Sequence, residues 1–347
     1  MNRPLTATTL FIAAAVVVLA QNLTGVEFKS KSGDFSIANI SEQMFESDAA
    51  AKAIDFEFSG KPLRGRSDSQ SAAFESLAAK GQIRSGSGGT MYLLSATLSG
   101  GVILRQNPGK PDEVVLSSPA VTLKEAPNRL AMTATFSGNL TVSAKDPDAK
   151  ITAGSGTVTL SGPAGQNRSL DQATLRGAVS VTANSQGTTT LTTNGLLLNQ
   201  RSSSTVFQMA SPFTIIRTAK DGNGRPVRVE FKGASGNVTT PDITKAGKGR
   251  PVTQASIRGP VTVTFDGKSK DGDDLHLVAR GDRMTLDPAG KLLLTGNVSI
   301  EGGGLDYQSQ GSGQTVYILL DENMKPTRYG AAGDPAKIDV KPNGGGR

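Results

Sequence analysis

One pattern recurs six times along the chain: an apolar residue, any residue, glycine, and then a run that alternates apolar with polar. The copies read Phe58 to Gly60, Leu98-Ser99-Gly100-Gly101-Val102, Phe136-Ser137-Gly138-Asn139-Leu140, Leu175-Arg176-Gly177-Ala178-Val179, Ile257-Arg258-Gly259-Pro260-Val261 and Leu294-Thr295-Gly296-Asn297-Val298. The first is the weakest, because Lys61 and Pro62 follow it. Successive glycines lie 40, 38, 39, 82 and 37 residues apart, so the long gap spans two periods and hides one degenerate copy. A repeat of this length signals one supersecondary unit used many times. Alternation with period two makes that unit a set of strands. Leu292, Leu294, Val298 and Ile300 fall on one face, and Leu293, Thr295, Asn297 and Ser299 on the other.

The same alternation predicts strands in Asp34 to Ile37 and Ile54 to Phe58, then more steadily from Met91 onward. Strands are expected to start near each repeat glycine. Between the first two, Ser41 to Lys52 carries Glu, Met, Phe and Ala at spacings that suit a short helix or a strand. Gly60 to Ser71 and Ile83 to Thr90, rich in Gly, Ser and Arg, read as loops, and Ala234 to Gln254 as a long loop or joint. Lys220-Asp221-Gly222-Asn223-Gly224 and Lys270-Asp271-Gly272-Asp273-Asp274 are hairpin signals.

Composition agrees with many short strands and tight turns: 36% hydrophobic residues, 5% aromatics, no Trp and 41 Gly depart from a compact enzyme. Residues Leu5 to Ala20 form an apolar run after Arg3, read either as a secretory signal cut before Gln21 or as an uncleaved membrane anchor. Its sixteen residues are short against the roughly 20 needed to span a bilayer, which favours the signal. Either way the remainder is expected outside the cytoplasm, with no cysteine to staple it. The formal charge of +7 is scattered among thirty acidic residues, which suits mild attraction to anionic surfaces and not a nucleic-acid stripe. Gly162 to Ser169 is a boundary candidate. The expected organisation is 1–20 signal or anchor, 25–165 an N-terminal β lobe, 170–342 a C-terminal β lobe and 343–347 a disordered tail.

Candidate chemistry is sparse. His276 is the one histidine and, between Leu275 and Leu277, points to the polar face. With no cysteine it offers no metal set and no defensible Ser-His-Asp order. Asp266, Asp271, Asp273 and Asp274 cluster in sequence, but Lys268 and Lys270 oppose a cation and the spacing is not that of an EF-hand. Ser85-Gly86-Ser87-Gly88-Gly89 lacks the lysine of a phosphate loop. No catalytic residue, metal or cofactor is expected.

Gly281 to Ile300 reads as a hairpin: Met284 and Leu286 alternate, Asp287-Pro288-Ala289-Gly290 turns, and Lys291 to Ile300 returns. It resembles the hairpin of the periplasmic lipopolysaccharide-transport and organic-solvent-tolerance family, the LptA/OstA type, in which a G-D-x-hydrophobic strand, a turn and an L-x-G-N-V strand recur. Gly333-Asp334-Pro335-Ala336-Lys337-Ile338 is similar to that family's closing strand. The strong part of the match covers Ile257 to Asp339, and Ala49 to Thr90 has no counterpart in it.

The resemblance implies an all-β fold, a curved antiparallel sheet folded like a taco or open jelly roll. Its inner face would hold the acyl chains of lipopolysaccharide or another glycolipid. It also implies edge-to-edge association with other proteins of the same fold, between inner and outer membranes, and inner-membrane association if residues 5–20 stay attached. The inner face is assigned to Ile257, Val261, Val263, Phe265, Leu275, Leu277, Met284, Leu286, Leu292, Leu294, Val298 and Ile300. The competing expectation is a structural or adhesive extracytoplasmic β-repeat protein, such as a propeller, whose blades also run about forty residues.

Overall fold

The computed structural model describes residues 27–29, 35–48, 53–67, 72–85, 90–145, 148–162, 169–184, 187–201, 204–221, 223–241, 252–268, 272–302, 305–308, 314–320, 326–332 and 337–340. These residues form an all-β fold of 24 strands with no helix, and the pairings among them are antiparallel. The readings at 1–26 and 341–347 lie outside the described residues. Two compact units divide the described residues, one comprising those up to Val179 with Leu197–Gln200, the other Ser180–Leu196 and those from Arg201 onward.

The first unit contains β1 (Glu27–Lys29), β2 (Phe35–Asp48), β3 (Ala53–Ser67), β4 (Ala72–Ser85), β5 (Thr90–Gln106), β6 (Val114–Glu125), β7 (Ala131–Ser137), β8 (Leu140–Lys145), β9 (Asp148–Ala153), β10 (Ser155–Ser161) and the start of β11 (Ser169–Asn184). From β2 each strand pairs with the next through β6, after which β7 with β8, and β9 with β10, act as single long strands broken at their middles. The second unit continues with β12 (Thr188–Gln200), whose last four residues belong to the first, β13 (Ser204–Met209), β14 (Phe213–Lys220), β15 (Pro226–Gly233), β16 (Ser235–Pro241), β17 (Gln254–Lys268), β18 (Asp274–Leu286), β19 (Lys291–Thr295), β20 (Ser299–Gly302), β21 (Leu305–Gln308), β22 (Thr315–Leu320), β23 (Pro326–Ala332) and β24 (Lys337–Val340). There β15 and β16 both pair with β17, and β19 and β20 both pair with β18. In both units the ladder is thus a meander of long bent rungs, not a set of separate four-stranded blades.

The repeat glycines mark the bends. In β5 and β17 the glycine lies inside a continuous strand, where the register shifts between Ser99 and Val102 and between Arg258 and Val261. At Gly100, Gly177 and Gly259 no strand starts, contrary to what the alternation alone suggested, and the extra residues let one strand turn a corner while its ladder continues, whereas β8 and β20 do start just after Gly138 and Gly296. Gly138 at φ +76 and Gly259 at φ +85 occupy a conformation that side chains with a Cβ rarely adopt. Each such corner keeps both flanking apolar residues inward: Leu98 and Val102, Phe136 and Leu140, Leu175 and Val179, Ile257 and Val261, Leu294 and Val298 are all buried. The degenerate copy is Met209-Ala210-Ser211-Pro212-Phe213, with Met209 and Phe213 buried and Ser211 in the glycine's place.

Alternate rungs use a shorter corner that places a glycine inward, Gly156 in Ala153-Gly154-Ser155-Gly156 and Gly281 in Gly281-Asp282-Arg283-Met284. Large side chains of one corner lie over the small residues of the next. A Cβ on Gly156 would stand 3.0 Å from both Leu140 Cδ2 and Leu175 Cδ2, and one on Gly281 would stand 3.2 Å from Leu294 Cβ. A Cβ on Gly233 would collide with Ile257 Cγ2. On either side of the bends the inward positions are buried on both arms, as in β6 (Val114, Leu116, then Val121, Leu123). With no helix among the described residues to cover them, the arms of a rung cover one another.

Backbone pairing overrides several local preferences. Ser41 to Asp48 is strand, held by the ladder from Phe45↔Phe56 to Asp48↔Ala53. The expected loops are partly strand: β3 continues to Ser67 and β4 to Ser85, through pairs such as Leu63↔Ser76 and Ile54↔Ile83, while 68–71 and 86–89 lie outside the described residues. Likewise Ser235–Pro241 is strand β16, paired on both sides, within the stretch expected as a joint. A ladder supplies partners for every amide of a Gly-rich segment, which local propensity does not register.

Replacing Gly259 by Ala is expected to lower stability by about 1–2 kcal/mol from the backbone alone, and further because the new Cβ meets Ala234 Cβ. An unchanged urea midpoint would contradict the corner's role.

Candidate functional site

Cross-strand register assembles the inner face of the second unit row by row. Partners directly opposite one another share a face. Ala255, Leu286, Leu292 and Ile318 form one row, and Ile257, Met284, Leu294 and Val316 the next. Beyond the bend, Val263 pairs with Ala279 and Ala279 with Ile300, while Phe265 pairs with Leu277. Of the twelve residues assigned from sequence, eleven are gathered here with exposures of 0–6%: Ile257, Val261, Val263, Phe265, Leu277, Met284, Leu286, Leu292, Leu294, Val298 and Ile300. Leu275 is half-buried, opposite Gly267 at the far end of the arm.

Sequence reasoning missed Val316, Ile318 and Leu320 on the same face, although Thr315 to Leu320 alternates as cleanly as β19. It also missed the rungs before β17. Phe213 and Gly233 are opposite one another, and Ile215 faces Phe231, which faces Val263. Here the inner face is less sealed. Leu191, Ile215 and Phe231 are half-buried, whereas Val263 is fully buried.

One row further from the bend, Thr189, Arg217, Val229, Phe265 and Leu277 are successive register partners. Arg217 is the single charged residue in that row. Its Nη1 donates to Thr189 Oγ1 at 3.0 Å, while Nη2 is buried and has no hydrogen-bond partner. Burial lowers the Arg217 pKa from its ordinary value.

The opposite face carries the charges. Arg228, Asp266 and His276 are register partners across β15, β17 and β18, joined by Arg228 Nη1 to Asp266 Oδ2 at 3.3 Å and His276 Nδ1 to Asp266 Oδ1 at 2.6 Å. Glu230 contacts both Lys232 and Arg228, and the Lys232 hydrogen bond first, then Arg228, holds its carboxyl below the ordinary range. His276 is exposed, and of the clustered aspartates Asp274 pairs with Lys268 at 2.7 Å, while Asp271 lies outside the described residues. No group of three His, Asp or Glu suited to a metal occurs among the described residues. Concavities of about 420 Å³ on the first unit, around Glu46, Asp55, Lys80 and Thr97, and of about 390 Å³ on the second, around Gln208, Asn237, Gln254 and Thr285, are lined mainly by polar side chains of the outer faces.

The two halves of the motif that carries the family resemblance meet at one corner. Asp282 Oδ2 accepts from Asn297 N at 3.0 Å and from Asn297 Nδ2 at 2.9 Å, directly outside the packing of Gly281 on Leu294. The hairpin between them closes as expected. Gly290 N donates to Asp287 O at 2.9 Å, and Lys291 N to Asp287 Oδ1 at 2.8 Å.

Comparison of the chain with family models, with curated proteins and with solved structures gives no match in any of the three.

Two outcomes follow from these contacts. Leu294→Ala is expected to cost about 2–5 kcal/mol, as a fully buried leucine, and Leu275→Ala clearly less; equal urea midpoints for the two would contradict the row assignment. In the β14–β15 turn, Asp221 accepts from Arg225 N at 3.0 Å, Arg225 Nε at 2.9 Å and Asn223 N at 2.9 Å, which hold its pKa down to about 2 from 3.8. A depressed carboxylate stabilises the fold above its unfolded value and loses that contribution as pH falls through the folded one. Protection of the Arg225 amide should therefore persist to pH 3 and fall near about 2. Loss of protection already at pH 4, followed by hydrogen exchange, would contradict the turn geometry.

Proposed function

We propose that this chain is a non-enzymatic lipid-binding protein of the cell envelope. It carries lipopolysaccharide or a similar amphiphile along the inner face of its bent sheet, between inner and outer membranes, in the manner of the LptA/OstA-type family that it resembles. The supporting observation is the inner face itself: aliphatic rows, continuous across adjacent register partners, that pass from fully buried at Val263 to half-buried at Leu191, Ile215 and Phe231. Burial of each acyl methylene contributes roughly 0.8 kcal/mol, so contact along a few such rows is enough for binding without any reacting group. Entry of a chain at the sealed rungs requires the arms to part about their glycine corners. The exported location and the inner-membrane tether belong to the same proposal.

Association with proteins of the same fold would use the C-terminal edge, where β24 pairs with β21 through Tyr307↔Ile338. Edge strands expose a row of unpaired backbone groups and are natural sites for strand addition.

Photocrosslinking amino acids at Val263 and Leu294 should capture lipid, and those at Thr264 and Thr295, on the outer face, should not. Capture at neither set would leave the structural β-repeat reading in place, and equal capture at both would rule out a one-sided groove.

A further inference from the structure

The inner face carries one feature that acyl-chain binding does not explain. An arginine among aliphatic neighbours leaves an uncompensated charge unless something pairs with it. The nearby carboxylates are already committed: Asp221 to Arg225, Glu230 to Lys232 and Arg228, and Asp266 to Arg228 and His276. Among the described residues Arg217 has one partner, the neutral Thr189 hydroxyl, and its buried Nη2 has none. A guanidinium stays charged at any physiological pH, and its fork matches phosphate and carboxylate oxygens.

Position adds to this. Arg217 lies four residues along β14 from Phe213 at the bend, about 14 Å for an extended strand. Half-buried Ile215 and Phe231 occupy the row between. An anion at Arg217 thus sits toward the free end of the arm, with apolar surface leading from it to the corner. That is the polarity of an amphiphile with a charged head and a hydrocarbon tail.

We infer that Arg217 is an anion-binding residue of the inner face, taking the phosphate or carboxylate head of an amphiphile whose chain lies over Ile215 and Phe231. The inference rests on the lipid-carrier reading for the tail but not for the anion. Desolvation of the Arg217 guanidinium, the cause of its lowered pKa, strengthens whatever charge-assisted bond it makes.

The test is calorimetric titration of the full chain with three probes: a short-chain lysophosphatidic acid, the uncharged monoacylglycerol of the same chain length, and inorganic phosphate. The wild-type protein should prefer the phosphate-bearing amphiphile to the neutral one by about ten-fold or more. Arg217→Met should erase that preference while leaving monoacylglycerol binding unchanged, and Arg217→Lys should retain part of it. Because the substitution removes a half-buried charge with no ionic partner among the described residues, the thermal midpoint of the Met variant should not fall; if that variant does not fold, Arg217→Gln reads the same preference. A preference that survives in the Met or Gln variant overturns the assignment. Phosphate binding that is lost in the variant, with neither amphiphile bound by wild type, upholds the anion site and defeats the lipid-carrier reading. Binding of none of the three probes defeats both.

Discussion

Everything else in this structure depends on the contact of a large apolar side chain with a glycine or small residue across each bend. Leu140 and Leu175 over Gly156, Ile257 over Gly233, and Leu294 with Val298 over Gly281 repeat the same arrangement. Only where one corner bears no bulk can its neighbour place two large residues inward, and only a positive-φ corner can keep both of those residues on the inner side. The period of about forty residues is the consequence, since it comprises one bulky corner rung and one small corner rung. Asp282 bonding to Asn297 shows the same unit from outside, locking the two corner types together by hydrogen bonds at 3.0 and 2.9 Å.

Bending about these lines sorts the chain chemically. Positions facing inward are aliphatic over long runs, and outward positions alternate Thr, Ser and charge. The outer charges pair across register, as in Arg228, Asp266 and His276, or flank an acidic centre, as Glu113 is flanked by Lys145 at 2.8 Å and Arg105 at 3.0 Å in the first unit. The exposed pair of His276 with Asp266 contributes little to stability, roughly 0–1 kcal/mol, so the burial inside carries the fold. The same sorting produces a surface that suits hydrocarbon, with Arg217 as its exception.

Strand content and the facing of β17 to β20 were legible because period-two alternation holds along each arm, slipping only at Asp282-Arg283 in β18, and because glycine marks the bends within a five-residue motif. The bends themselves were not legible. A glycine that starts a strand and a glycine that folds one leave the same local pattern, and the distinction lies in which neighbours the two halves pair with. For the same reason Lys61 to Ser67 and Ser235 to Pro241 read as loops, although ladders on either side hold them as strand. The hidden repeat escaped because Ser211 replaces the glycine and Pro212 follows, while Met209 and Phe213 keep its burial pattern. The strand over Phe213–Lys220 was not read from the sequence, and with it went the inward position of Arg217, which follows from its spacing to Phe213 and Ile215.

The claim that the inner face is a lipid site, and not merely a filled core, is tested most directly by native mass spectrometry of the full chain extracted in mild detergent from the cells that make it. The account predicts a discrete non-covalent adduct of an anionic amphiphile, released at activation energies that leave the chain intact. A spectrum showing the bare chain alone, from cells that contain such lipids, would contradict it.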